Sequence, residues 1–425
     1  MTHGLRLGFG ARKRLPQRRS LVGALASTAA VTLAIGGAPA PAMAADTKSQ
    51  QWYLDAMHAD EIWKTSTGAG VKIVVIDSGV NSSTPALKGQ VLEGFDASEM
   101  KGEATDDYSG HGTTMAELIA GTGAGGGLKG LAPDSKIVPM RIADTEQQNK
   151  QKVNAFDLRD AIRAAADSDA QIISISWGGD YLQAGQHEAI QYAQSKGKLL
   201  FAGVGNNAKK GNKKQYPASF PETVGVGAID RSGQVADYSQ HGDVVDIAAP
   251  GNDIPTWCDN TFKRYCDGDG GTSAATALAS ASAALIWSAH PDWTANQVLR
   301  VMIESAAPAK GAKAGSVSTY IGHGVIRPNA ALNRGLGKPG DPDINPLTNE
   351  KTLNTKASPA PSASASSQGH EEKADDKVSV AGSSEDAGSD GDSGSGSGLL
   401  IGGGVAVVVI AAAGAFAVIR KRRAV

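Results

Sequence analysis

The chain has 425 residues, 41% of them hydrophobic and 5% aromatic, and its 41 basic and 43 acidic side chains give a formal charge of −2. Taking away the six basic residues of the first 44 and the four near the C-terminus leaves 31 basic against 43 acidic side chains. A body that acidic has no electrostatic reason to hold nucleic acid, and that class of function is excluded.

Residues 1–44 contain Arg6, Arg12, Lys13, Arg14, Arg18 and Arg19 and no acid, then the apolar run Leu21–Ile35, then Ala42-Met43-Ala44. Basic head, short apolar middle and small-residue tail predict a secretory signal peptide cut after Ala44. The other reading is an uncleaved anchor, but a 15-residue run is short for a span of about 20. The Arg18-Arg19 pair is compatible with either the general or the twin-arginine export route. Residues 45–70 follow as an N-terminal extension. It carries Trp52, Leu54, Ile62 and Trp63 and is too short for a core of its own, so it should pack on the next domain.

Residues 71–336 alternate strand and helix patterns. Val71–Ile76 is a near-continuous apolar run, as expected of a strand buried on both faces. Further strands are predicted at Lys136–Arg141, Ile172–Ile175 and Leu199–Val204. Helices are predicted at Phe156–Ala166 and His187–Lys196, and from Ser273 to about Ser288. Repeated βαβ units imply an α/β fold, a parallel sheet with helices on both faces and its site beyond the C-terminal strand ends. The only cysteines, Cys258 and Cys266, lie in the exported part. An even count there favours one disulfide over two thiols. By loop entropy alone it would contribute roughly 2.5 kcal/mol.

Residues 337–398 are rich in Pro, Ser, Ala, Gly and Asp and predict a disordered linker. Leu399–Ile419 is 21 residues without a charge, about 31 Å as a helix, and predicts one transmembrane helix. The tail 420–425 opens with Arg420-Lys421-Arg422-Arg423, which places it in the cytoplasm and the body outside the cell membrane.

Three motifs carry chemistry. Val74–Val80 reads V-V-I-D-S-G-V, with Asp77 closing a strand. Ser109–Thr114 reads S-G-H-G-T-T around His111, and Gly270–Ala277 reads G-G-T-S-A-A-T-A, with Ser273 opening a helix. A serine that attacks an amide needs an imidazole to take its proton and a carboxylate to orient the imidazole. Alone, Asp77 could be a turn residue, His111 a structural histidine and Ser273 a helix cap. The order Asp, His, Ser within such motifs points to a catalytic triad.

From about Gln51 to Leu332 the chain resembles the subtilisin-like serine proteases. The resemblance extends to G-L-A-P-D at Gly130–Asp134, I-S-I-S-W-G-G at Ile173–Gly179, F-A-G-V-G-N-N at Phe201–Asn207 and G-H-G-V at Gly322–Val325. It implies Asn206 as the oxyanion donor and Ser176, Trp177 and Gly178 as substrate-binding strand. The whole architecture resembles the mycosins, subtilisin-like proteases associated with type VII secretion in actinobacteria. That implies a peptide or protein substrate, secretion components as partners, and anchoring by one membrane helix. No cofactor is implied; no metal ligands are assigned, since the acidic turn Asp267–Gly270 lacks the positions a calcium loop needs. The chain departs from the family pattern at Thr114, where a second histidine is usual, and at Glu117, where glycine is usual. It departs again at Trp177, Ala274 and Ala277. A structural subunit of an export machine with a vestigial protease site is the rival reading; an intact Asp77, His111, Ser273 and Asn206 argues against it.

Overall fold

The structure, a computed structural model, describes residues 43–352 apart from 269 and 314. The run Lys-Ile-Val-Val-Ile-Asp forms the central strand β1 (Lys72–Asp77), buried along almost all its length. Ile73 and Val75 enter one hydrophobic core and Val74 and Ile76 another, because successive side chains leave a strand on opposite faces. Each such side chain stabilises the fold by about 1.5–3 kcal/mol when fully buried.

The other strands are β2 (Phe95–Asp96), β3 (Lys136–Arg141), β4 (Ile172–Ile175), β5 (Leu199–Gly203), β6 (Val224–Ile229) and β7 (Ile247–Pro250). They form one seven-stranded sheet of order β2-β3-β1-β4-β5-β6-β7, with every pairing parallel. A separate antiparallel hairpin pairs β8 (Thr256–Trp257) with β9 (Tyr265–Cys266).

Three short helices precede β1: α1 (Met43–Gln50), α2 (Trp52–Ala56) and α3 (Ala59–Ile62). In sequence, α4 (His111–Ala120) separates β2 from β3, α5 (Thr145–Gln151) and α6 (Asp157–Asp167) separate β3 from β4, and α7 (Gln186–Ser195) separates β4 from β5. The described chain closes with α8 (Thr272–Ala289), α9 (Ala295–Ser305) and α10 (Pro328–Arg334). Side chains of α4, α8 and α9 build the first core and those of α6 and α7 the second, so helices cover both faces of the sheet as expected. Helix α8 runs buried through the first core, and its Ala- and Ser-rich sequence is what allows so close a fit. Two of its hydroxyls stay satisfied by bonding back to the preceding turn, Thr276 to the Thr272 carbonyl and Ser282 to the Leu278 carbonyl.

The N-terminal extension packs on this body. Tyr53 and Ile62 are fully buried. The Gln51 amide pairs with both backbone groups of Lys129, donating to its carbonyl at 2.8 Å and accepting its N–H at 3.1 Å. The Trp52 indole donates to Asn252, and the Trp63 indole to Leu131. The expected linker start at 337 needs correction. Residues 337–352 lie against α9, where Asn296 donates to the Pro342 carbonyl at 3.0 Å and to the Thr352 hydroxyl at 2.7 Å. Asn345 and Thr352 are themselves buried. The composition of this stretch is loop-like, but its backbone polar groups find partners on the helix. The predicted signal before residue 43, the remaining linker and the apolar run 399–419 lie outside the described residues. Among the described residues no helix is long and apolar enough to cross a membrane.

Candidate active site

The register of the sheet sets the site. Ile76 of β1 pairs with Ile175 of β4, and Ile175 pairs with Ala202 of β5. Asp77, Ser176 and Asn206 therefore leave three adjacent strands at the same edge. The strand order reverses direction around β1 and β4, which opens a crevice there.

Asp77 is 4% exposed and accepts from His111 Nδ1 at 2.8 and 2.9 Å through its two oxygens. The Ser78 N–H also donates to Asp77 Oδ1 at 2.8 Å. His111 is the first residue of α4, and Gly112 behind it must lack a side chain. A Cβ there would stand 2.1 Å from the Gly79 carbonyl oxygen. The carboxylate-to-Nδ1 contact fixes the tautomer that leaves Nε2 free to take a proton.

Behind this pair sits Asp107, a buried carboxylate that the sequence reading did not single out. Its Oδ1 accepts from the N–H of Ser109 at 2.9 Å, the N–H of Gly110 at 2.8 Å and the Ser78 hydroxyl at 2.8 Å. Its Oδ2 accepts from the Thr113 N–H at 2.9 Å and hydroxyl at 2.6 Å. One side chain thus ties the turn before His111, the first turn of α4 and the residue after Asp77 together. The Asp-x-Ser spacing at 107–109 is a local turn signal that could have marked it. Desolvation opposes the charged imidazole, but the charge and hydrogen bond of Asp77, with the charge of Asp107, outweigh it. The pKa of His111 is held above its ordinary value.

Ser273 lies in the first turn of α8, and its hydroxyl donates to the Ser176 carbonyl at 3.3 Å. It is not hydrogen-bonded to His111 in this state; α4 and α8 pack side by side. Asn206 sits just past β5. Its Oδ1 accepts the Thr272 N–H at 2.9 Å and the Thr272 hydroxyl at 3.0 Å. Those two bonds orient the amide, so that Nδ2 is a donor beside Gly271, where a Cβ would come within 3.1 Å of it. Thr272 is a second contributor that the sequence reading passed over.

Ser176, Trp177 and Gly178 continue from β4, and Gly179 then forms an antiparallel bridge with Tyr216. Trp177 packs on the second core. The stem of Gln215 lies between Gly178 and Gly205, within 3.4 Å and 2.7 Å of the Cβ positions those glycines lack. Cys258 and Cys266 form a disulfide that closes the β8–β9 hairpin. Among the described residues no group of three or more His, Cys, Asp or Glu side chains could hold a metal ion. Asp267 is engaged by the Gln50 amide at 2.6 Å.

A family model described as the subtilase family matches residues 68–324. The chain is 34% identical over 268 residues to a subtilisin from Bacillus pumilus, covering 62% of this chain and 92% of that protein. It spans 66% of subtilisin E from Bacillus subtilis at the same identity. Among solved structures, MycP3, a protease from the type VII (ESX-3) secretion system, superposes with a TM-score of 0.56 at 30% identity, over 66% of this chain and 87% of that one. MycP1 from the ESX-1 type VII secretion system gives a TM-score of 0.56 at 27% identity, over 66% and 85%.

Proposed function

The chain belongs to the subtilase family and is a serine endopeptidase, and from that membership we propose that Ser273, His111 and Asp77 are its catalytic triad. The observation that carries the reading is the pair of hydrogen bonds from His111 Nδ1 to a buried Asp77. Rotation of the Ser273 side chain away from the Ser176 carbonyl lets its hydroxyl donate to His111 Nε2. Ser273 Oγ attacks the scissile carbonyl carbon as Nε2 takes the proton. Negative charge then gathers on the carbonyl oxygen, where Asn206 Nδ2 and the backbone N–H of Ser273 at the start of α8 stabilise it. The imidazolium, stabilised by Asp77, gives its proton to the leaving amine as the C–N bond breaks. Water, deprotonated by the same imidazole, then hydrolyses the acyl-serine and restores the enzyme. The extended 176–178 segment is the backbone against which a substrate strand pairs.

The chain is related to the MycP proteases, and the finer reading follows from that relation and from the sequence. It is an extracytoplasmic enzyme held at the cell membrane by residues 399–419, acting on a protein handled by a type VII secretion machine. The test is Ser273→Ala, which should lower kcat on the order of a million-fold. A fluorophosphonate should label the natural enzyme on Ser273 and leave the variant unlabelled. Unchanged hydrolysis or unchanged labelling in the variant refutes the assignment.

A further inference from the structure

Helix α4 departs from the family pattern at Thr114 and Glu117, and both residues meet the same neighbour. Gly110, Thr114 and Glu117 are spaced four and three apart, which puts them on one face of the helix. That face lies against the β8–β9 hairpin. Gly110, in a left-handed conformation at φ 88°, has no room for a side chain, because a Cβ would stand 2.8 Å from the Asp259 carbonyl oxygen and 3.1 Å from Trp257 Cβ. Thr114 Oγ1 accepts the Trp257 backbone N–H at 3.0 Å and donates to the Gly110 carbonyl at 2.8 Å. Glu117 is fully buried; its carboxyl accepts the Thr84 hydroxyl at 2.9 Å and the Tyr265 hydroxyl in a short hydrogen bond. The buried Trp257 indole N–H lies beside the same carboxyl.

The hairpin has two paired positions, and Trp257 pairs with Tyr265 at one of them. Their rings stack at 3.9 Å. Each is followed at once by a cysteine of the Cys258–Cys266 disulfide. A two-residue antiparallel ladder is too short to be stable by itself. The covalent link is what keeps Trp257 and Tyr265 in register, and these two are the residues that grip α4. Burying a carboxyl is costly unless its hydrogen bonds are made. Glu117 therefore does little for an unattached helix and much for a helix docked on this hairpin.

We propose that Thr114 and Glu117 are positioning residues for His111, acting through the disulfide hairpin, which clamps α4 so that the imidazole stays aligned with Asp77. The inference rests on the reading of His111 as the catalytic base. It makes the activity sensitive to reduction. A dithiol reductant that converts Cys258–Cys266 to two thiols, itself becoming a cyclic disulfide, frees the hairpin and lowers turnover; reoxidation restores it.

The full-length chain is tested as Tyr265→Phe, Thr114→Val, Thr114→Ser, Glu117→Ala, Glu117→Gln and the double variant Cys258→Ser/Cys266→Ser. Turnover of a peptide substrate is divided by the concentration of sites titrated with a fluorophosphonate, so that unfolded protein does not count. Tyr265→Phe, Thr114→Val, Glu117→Ala and the double cysteine variant should each lower kcat about ten-fold, with KM within about two-fold. Thr114→Ser and Glu117→Gln, which keep an acceptor in place, should recover most of it. Tyr265→Phe added to the double cysteine variant should cost little more, because both changes release one clamp. Unchanged kcat per titrated site in the cysteine variant, or fully additive losses, overturns the proposal. A second measurement does not need turnover. In a Ser273→Ala background, the NMR signal of the His111 Nδ1 proton should weaken or shift on adding Tyr265→Phe. An unmoved signal overturns the clamp even if the triad is correct, and a moved signal supports it even if Ser273 proves not to be the nucleophile.

Discussion

Asp107 shows how much of a candidate site can rest on one side chain set behind it. Its five hydrogen bonds hold the 107–113 turn, and its charge adds to that of Asp77 in favouring the imidazolium of His111. A base must be neutral to accept a proton. A raised pKa therefore means that kcat/KM falls as the pH drops through a value above the ordinary histidine range, near 6.5. Asp107→Asn removes one of the two charges that raise it. The acid limb of the pH–rate profile should then move to lower pH, while the hydrogen-bond mismatch at the Thr113 N–H costs about 1–3 kcal/mol of stability. An acid limb that stays in place would show that Asp107 acts by geometry alone. The residues proposed as the triad could be picked out in the sequence because each sits in a short motif of small residues. The roles of Thr114, Glu117 and Thr272 could not, because they depend on partners far away in sequence, whereas Asp107 bonds mostly to residues 109–113 and its local turn signal was passed over. Glu117 and Tyr265 are 148 positions apart, and no local pattern announces that contact.

At the level of elements, the strands were the most legible part. β3 and β4 have the predicted bounds, and β1 and β5 are displaced by one residue at their ends. Strands buried on both faces leave continuous apolar runs, but β6, broken by two glycines, and β7, short and ending in proline, were not predicted. The two-residue strands β2, β8 and β9 left no periodicity to read. The extension before β1 was expected to pack on the body, but its helices α2 and α3 were not foreseen. They are too short for a recognisable apolar stripe and owe their place to tertiary contacts. Tyr53 is fully buried there, with the Gln51 amide donating to its hydroxyl. Truncating it to Ala should cost about 3–5 kcal/mol, measured by denaturant unfolding. We predict from the same packing that this segment remains on the active enzyme. Sequencing the N-terminus of active protein should find residues 51–63 still attached. An active form that begins near Val71, against a Ser273→Ala form that keeps the extension, would make it a self-cleaved propeptide instead.

For the whole molecule, the question is where the folded body stops along the chain. Composition placed that boundary at 337, because Gly337-Lys338-Pro339-Gly340 looks like the start of a linker. The ordered chain instead continues along α9. The Lys338 N–H donates to Glu304 at 2.8 Å, Thr294 donates to the Pro342 carbonyl at 2.9 Å, and Asn296 bridges Pro342 and Thr352. A segment with few apolar side chains is held here by polar contacts to a helix, and hydrophobicity is blind to that. Asn296 is 5% exposed with residues 337–352 in place, and removing them would take away both of its hydrogen bonds to them and uncover that part of α9. A hydrogen bond of this kind contributes roughly 0.5–1.5 kcal/mol. Two shortened chains should therefore behave differently. One ending at Thr352 should fold with the thermal midpoint of the full-length protein and keep its turnover per titrated site. If residues 399–419 anchor the enzyme, it should also pass from the membrane fraction into the medium. One ending at 336 should unfold several degrees lower. Equal thermal midpoints for the two chains would show that residues 337–352 rest on the body without supporting it, and the boundary read from composition would stand.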